Sequence, residues 1–204
     1  MTLLAGLQVL LARYSGQRDF AIGTVMADRP RPELEGLIGF FVNTLVLRTP
    51  LAGTPTFREL LARVRTVTLD AYAHQDVPFE RIVEELAHAR DSAGVPLMQT
   101  MLVLQNLALP RAQAGNLRLD SLGTGQSDAK WDLAIYVEEA GDHLTGSAVY
   151  RADLFEADTI VRLLDAYRVL LTHAVADADR GVFEIPLVDA KDADESRAAF
   201  TRAH

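Results

Sequence analysis

"IGFFVNTLVLR", residues 38–48, reads as a β-strand of bulky and β-branched residues, with one amide, Asn43, inside the apolar run and Arg48 closing it. An amide on a buried strand costs on the order of 1–3 kcal/mol when left unpaired, so Asn43 needs a partner. Two alternatives stand open: Asn43 braces a neighbouring loop, or it faces a solvated channel through which a substrate passes.

Working outward, "FAIGTVMA" (20–27) reads as a preceding strand interrupted by Gly23, where a bulge or a close backbone approach is expected. Before it, Leu3, Leu4, Leu7, Leu10 and Leu11 recur at helical spacing over 2–14, and Gly16 is the expected stop. After the strand, Thr56 and Glu59 form a capping-box pattern that opens a helix bearing Phe57, Leu60, Leu61, Val64 and Ala71 on one stripe. A second helix follows in "DVPFERIVEELAHAR", with Asp76 as its expected cap and Phe79, Ile82, Val83 and Leu86 as its buried face. Strands are expected in "LMQTMLVLQN", "NLRLDSL", "KWDLAIYVEE" and "HLTGSAVYRAD", the last two as a hairpin across "AGD". A long helix is expected over 156–176, with Ile160, Leu163, Leu164, Tyr167, Leu171 and Val175 inward, and a charged, Ala-rich tail ends the chain. Strands and helices mix without strict alternation, which predicts an α/β (α+β) layered sandwich.

Composition bounds the function. The chain has 204 residues, 49% of them hydrophobic, enough for a sizeable core. It carries 20 basic and 28 acidic side chains, net −8, with no basic tract, so a nucleic-acid partner is not expected. There is no cysteine, which excludes disulfides, thiolate chemistry and cysteine-bound zinc. The opening apolar stretch lacks a basic leader and a cleavage site and reads as a buried helix; no membrane partner and a cytoplasmic location are the expectations.

Sequence patterns for nucleophile elbows, phosphate loops and His-Glu-x-x-His metal sites are missing, and no metal ligands are assigned. "GTGQS" (123–127) lacks the lysine and following helix of a phosphate loop. His173 and Asp177 lie one helical turn apart, the spacing of a base and its orienting carboxylate, but they sit off the apolar stripe where a solvated pair is the ordinary reading. His74, at a helix–helix junction, is read as satisfying nearby backbone groups. Trp131, between Lys130 and Asp132, marks either a site rim or a half-buried strand start.

Taken in order, these phrases resemble the condensation domains of nonribosomal peptide synthetases. "IGFFVNTLVLR" is similar to their Ile-Gly-x-Phe-x-Asn-Thr-x-x-x-Arg motif, "HQDVPFE" (74–80) matches their His-Gln-Asp-x-Pro-Phe-Glu motif in full, and "RDSAGVPLM" (90–98) matches the next motif in part. In that last phrase Ala93, Gly94 and Val95 replace the family's Ser, Arg and Asn. The resemblance implies a chloramphenicol acetyltransferase-like fold, a two-lobed pseudo-dimer with a tunnel where carrier proteins present thioesters on phosphopantetheine arms and one amine attacks the other thioester. The family's His-His-x-x-x-Asp-Gly motif is not found in this sequence.

The resemblance therefore implies the C-terminal lobe only, residues 1–187, with 188–204 as linker or tail. No catalytic residue is assigned, and the lone lobe is expected to be inactive. It also implies that Asn43, Thr44, Gln105 and Asn106 line the tunnel, and that Arg29 forms an ion pair fixing the active-site loop. No directly bound cofactor is expected, phosphopantetheine arriving on carrier proteins. The implied partners are peptidyl or acyl carrier proteins, the N-terminal lobe and a neighbouring adenylation domain. The alternatives are a non-catalytic condensation-like module that recruits carrier proteins or a tailoring enzyme, and an independent acyltransferase using His173.

Overall fold

The computed structural model describes residues 1–27, 32–87, 97–105, 113–114, 117–118 and 128–189. Its centre is a five-stranded mixed sheet. Strands β1 (Ala21–Ala27), β3 (Thr100–Gln105) and β6 (Leu133–Ala140) run parallel to one another, and β2 (Val42–Arg48) and β7 (His143–Tyr150) pair antiparallel at the two edges, in the order β2-β1-β3-β6-β7. Two short segments, β4 (Gln113–Ala114) and β5 (Leu117–Arg118), pair separately, and β5 is all that is described of the strand expected in "NLRLDSL".

Three helices cover the first face of the sheet. Helix α1 (Thr2–Ser15) ends at Gly16, whose φ of 73° is the left-handed conformation glycine adopts without a Cβ clash. The sequence pattern predicts one apolar stripe, yet α1 is buried nearly all round, from Leu4 through Leu10. The reason is its position, packed against both α3 (Phe57–Ala73) and α5 (Ala157–Ala176) over the sheet. Even Gln8 is fully buried, and neither of its amide atoms has a hydrogen-bond partner among the described residues. Contact with α5 is close: a Cβ on Gly6 would lie 2.6 Å from Leu171, and the Tyr167 hydroxyl donates to the Leu3 carbonyl at 2.6 Å. Burial pushes the Tyr167 phenol's pKa well up.

Helix α3 starts with the predicted capping box: the Glu59 N–H donates to Thr56 Oγ1 at 3.2 Å, and the Thr56 N–H donates to Glu59 Oε2 at 2.9 Å. Its Phe57, Leu60 and Val64 join Ile22, Leu47, Leu102, Leu133, Ile135 and Ile160 in one dry core. In α5 the inward set is Ile160, Leu163, Ala166, Tyr167, Val169, Leu170 and Ala174, whereas Val175, expected inside, is 68% exposed. The segment after α5 returns along the start of α3, where Phe57 and Arg58 donate to the carbonyls of Arg180 and Ala178, and Ile185 enters the core. The β6–β7 hairpin closes through Gly141 at φ 70°, as the turn signal predicts.

The opening phrase is only partly strand. Residues 42–48 pair with β1, but Ile38 and Phe40 are almost wholly exposed outside the sheet. Apolar character there does not report sheet pairing. A short helix, α2 (Pro32–Glu35), precedes them. Arg48, which closes the phrase, grips Asp19 with two bonds of 2.7 and 2.6 Å.

Candidate functional site

Alternation along the strands sorts side chains to two faces. On the first face Ile22, Leu47 and Leu102 meet α1, α3 and α5; Gly23, Val46, Met101 and Ala134 lie on the second. This second face is built around a small cluster of Met98, Met101 and Ala134, flanked by Val46, Phe79, Trp131, Tyr136 and Val149. β1 pairs through Gly23 without the expected bulge, and the glycine is needed because the side-chain sulfurs of Met98 and Met101, not another backbone, stand where a Cβ would.

Helix α4 (Phe79–Ala87) reaches this face because the chain between α3 and α4 crosses the β2 edge, and Asn43 holds it at the crossing. Asn43 Nδ2 donates to the carbonyls of Gln75 at 2.6 Å and Val77 at 2.9 Å, while Oδ1 accepts the N–H of Phe79 at 3.2 Å and of Thr44 at 2.8 Å. Those four bonds use both donors and both lone pairs of the amide. The bracing alternative for Asn43 is thus what the geometry displays. It also corrects the reading of Asp76 as the helix cap: the free N–H at the start of α4 is satisfied by Asn43, 36 residues away in sequence.

His74 ends α3, its Nδ1 2.8 Å from the Asp70 carbonyl, in the backbone-satisfying role expected of it. Phe79 then meets Trp131 edge-to-face, with centroids 6.2 Å apart, and Lys130 Nζ lies 5.6 Å from the Trp131 ring centre. Trp131 is therefore both the half-buried start of β6 and the anchor that holds α4 to the sheet.

The cover is incomplete. Contrary to expectation, Val83 and Leu86 of α4 are 37% and 45% exposed; the α4 residue that packs on the cluster is Phe79. The half of the second face nearest the carboxyl ends of β1 and β3 is open, with Val25 exposed, Thr44 half-buried and Gln105 exposed. Thr44 and Gln105 share this face by alternation, and Asn43 projects from the other. Asn106 and Arg29 lie outside the described residues, as do most of "RDSAGVPLM", the "GTGQS" loop and the tail from 190. Val25 and Tyr136 belong to this face although no motif marks them; the two-residue alternation from Gly23 and Ala134 is the signal that points to them.

Nothing in the geometry turns His173 into a base. The carboxylate of Asp177 pairs with Arg180 at 3.4 Å, and no side-chain bond joins it to His173. Among the described residues no cluster of His, Asp or Glu could hold a metal ion, and no helix is long and apolar enough to cross a membrane.

A mixed sheet with helices on one face and a half-open second face is the α/β sandwich of condensation domain structures, chloramphenicol acetyltransferase-like in type. The condensation domain family model matches residues 1–195, and the chain belongs to that family. It is 44% identical over 190 residues to a linear gramicidin synthase polypeptide of Brevibacillus parabrevis, covering 92% of this chain and 4% of that protein. Chondramide synthase cmdD of Chondromyces crocatus is also 44% identical, over 92% of this chain and 5% of its own length. Among solved structures, the X-domain from teicoplanin biosynthesis superposes with a TM-score of 0.82 at 31% identity, over 92% of this chain and 43% of that one. A four-domain nonribosomal peptide synthetase superposes equally well, TM-score 0.82 at 25% identity, over 94% of this chain and 16% of that one. The chain thus spans a small fraction of its synthetase relatives and less than half of the solved X-domain.

Proposed function

We propose that this chain forms the C-terminal lobe of a nonribosomal peptide synthetase condensation domain and supplies one wall of a tunnel in which carrier-bound thioesters are joined as an amide. The observation that carries the reading is the pairing of a family match over nearly the whole chain with coverage of only 43% of a solved X-domain. The exposed apolar side chains at the site's rim support it: Ile38, Phe40 and Val42 are 105%, 90% and 44% exposed, the pattern of a surface that another body covers.

In this reading the open half of the second face receives the thioester arms. Thr44 and Gln105 line it, Asn106 continues the wall past β3, and Arg29 pairs with an aspartate of the other lobe's active-site loop. Asn43 acts on the wall through the α3–α4 junction that it braces. An amine attacking a thioester needs orientation and a proton acceptor. The chain's own residues supply the first; the second belongs to the histidine motif of the N-terminal lobe. Phosphopantetheine comes as part of the substrate, on carrier proteins, and an adenylation domain is the expected neighbour.

Reconstitution tests this. The chain is mixed with an N-terminal lobe bearing the histidine motif and with two loaded carrier proteins, and amide product is followed by mass spectrometry. Neither half alone is expected to form product, and the pair is. Amide formation by this chain alone at the rate of the pair overturns the reading.

A second reading has its own support. The X-domain resembling this chain at 31% identity was solved in complex with OxyB. A recruiting module, without amide formation in any combination, would bind a tailoring enzyme or carrier protein and show no rescue by the added lobe.

A further inference from the structure

The two edges of the sheet are treated differently. At the β2 edge, the α3–α4 junction crosses the strand and Asn43 Oδ1 accepts the Thr44 N–H. At the other edge β7 is open: His143 through Ser147 are exposed, and no further strand pairs with it among the described residues. Strand edges normally carry charge, proline or a bulge that discourages pairing. Residues 144–150, "LTGSAVY", contain neither charge nor proline, and eight consecutive pairs with β6 leave no bulge.

Two more features give this edge a direction and a chemistry. The two-residue turn closes the hairpin on the pair Ala140–His143, and hydrogen bonding alternates from there, so the backbone groups of Leu144, Gly146 and Ala148 face outward. Beside those residues, between β7 and α5, runs a groove of about 470 Å³ with Leu3, Ile135, Val137, Leu144, Leu164 and Leu171 in its walls. Its charges are unbalanced. Arg168 at the groove is held by Asp189 at 3.3 Å, whereas Asp165 beside it, and Glu139 opposite Leu144, have no ion-pair partner among the described residues. Asp142 in the turn is fully exposed, 3.1 Å from His143.

We propose that the outer edge of β7 with its adjoining groove is a docking site for an extended peptide segment of a partner protein, one with apolar residues at alternate positions and basic residues at its flanks. The segment adds as a sixth strand, its backbone pairing with Leu144, Gly146 and Ala148, its apolar side chains entering the groove, and its cations meeting Glu139, Asp142 and Asp165. A second copy of this chain fits worse: the strand has no lysine or arginine, its His143 already sits against Asp142, Arg151 beyond its end is taken by Asp153 and Asp132, and the chain's net charge is −8. The site is separate from the open half of the second face and does not depend on the condensation reading.

The probe is a fluorescein-labelled peptide, Lys-Thr-Val-Thr-Val-Thr-Lys, titrated into the 204-residue chain by fluorescence polarisation. Binding is expected, weakened at least about tenfold when both lysines are replaced by glutamate. The amide protons of Leu144 and Gly146 should slow in hydrogen exchange on binding. Leu144→Lys, at a half-exposed position that folding tolerates, and Gly146→Pro, where a Cβ has room, should each abolish binding. Absence of binding at millimolar peptide, binding unaffected by Leu144→Lys, or a β7-edge dimer of the chain itself that excludes the peptide overturns the proposal.

Discussion

The two faces of the sheet are made from the same strands and do different work. The first is closed by α1, α3 and α5 into a core in which Leu7, Leu10, Ile22, Leu60 and Leu170 are fully inaccessible. Among the described residues the second has three buried residues in its cluster, one helix meeting it through Phe79, and an open half at the carboxyl ends of the parallel strands. One face is a closed core, and the other is only partly covered among the described residues. In open sheets of parallel strands, ligands gather outside the carboxyl ends, and the open half lies there.

The largest effect should fall on the closed face. Leu10→Ala is expected to lower unfolding free energy by about 3 kcal/mol, because a void in a well-packed core relaxes only in part. Chemical denaturation measures it, and a loss no larger than that of an exposed-site control such as Val175→Ala would break the contrast. Next comes the brace between faces. Asn43→Asp keeps the acceptor but loses both donors to Gln75 and Val77, and should cost about 2 kcal/mol. Hydrogen exchange should then quicken in α4 and leave α1 unchanged; uniform quickening would mean the faces are not separable.

A third test reverses the sign. Gln8 is the polar intruder on the dry face, buried with both amide atoms unpaired, so Gln8→Met should stabilise by about 1 kcal/mol. Destabilisation would show that Gln8 has a partner such as an ordered water. On the second face, a double-mutant cycle of Phe79→Leu and Trp131→Leu should return a coupling of about 0.5–1 kcal/mol, the worth of an edge-to-face pair. Zero coupling would leave α4 attached by Asn43 alone.

The smallest effect is electrostatic and belongs to neither face. Hydrogen bonds from Arg48, Arg151 and Arg58 hold the carboxyls of Asp19, Asp153 and Asp179 below the ordinary range. A depressed folded-state value contributes stability that is present above the unfolded pKa, about 4, and is lost as pH falls through the folded value. All three pairs lie at the surface, so thermal melts should show only a shallow fall below pH 4, flattened by salt. A steep acid transition centred above pH 5 would point to groups other than these.

Local chemistry was legible wherever it acted on near neighbours. The capping box at Thr56 and Glu59, the glycine at the end of α1 and the β6–β7 turn were readable because each is a contact within a few residues. At Gly23 the expected bulge or close backbone approach is not what the structure holds: the strand pairs without interruption, and two methionine side chains impose the glycine. Asp76 as a cap, Val83 and Leu86 as a buried stripe and Ile38 as a strand residue failed for one reason. Each asked a local pattern to report a distant partner, and the partner was Asn43 in the first case and none within the described residues in the others.

By itself the amino-acid sequence showed the resemblance to the family through its quoted motifs, and the mixed α/β class and the order of most elements through periodicity and turn residues. Only the tertiary structure decided that Asn43 uses its whole hydrogen-bonding capacity to brace a junction and that one sheet face is dry while the other is half bare. The physical reason is that burial and hydrogen-bond satisfaction are properties of what lies across space, and a residue's neighbours along the chain fix only which way it points.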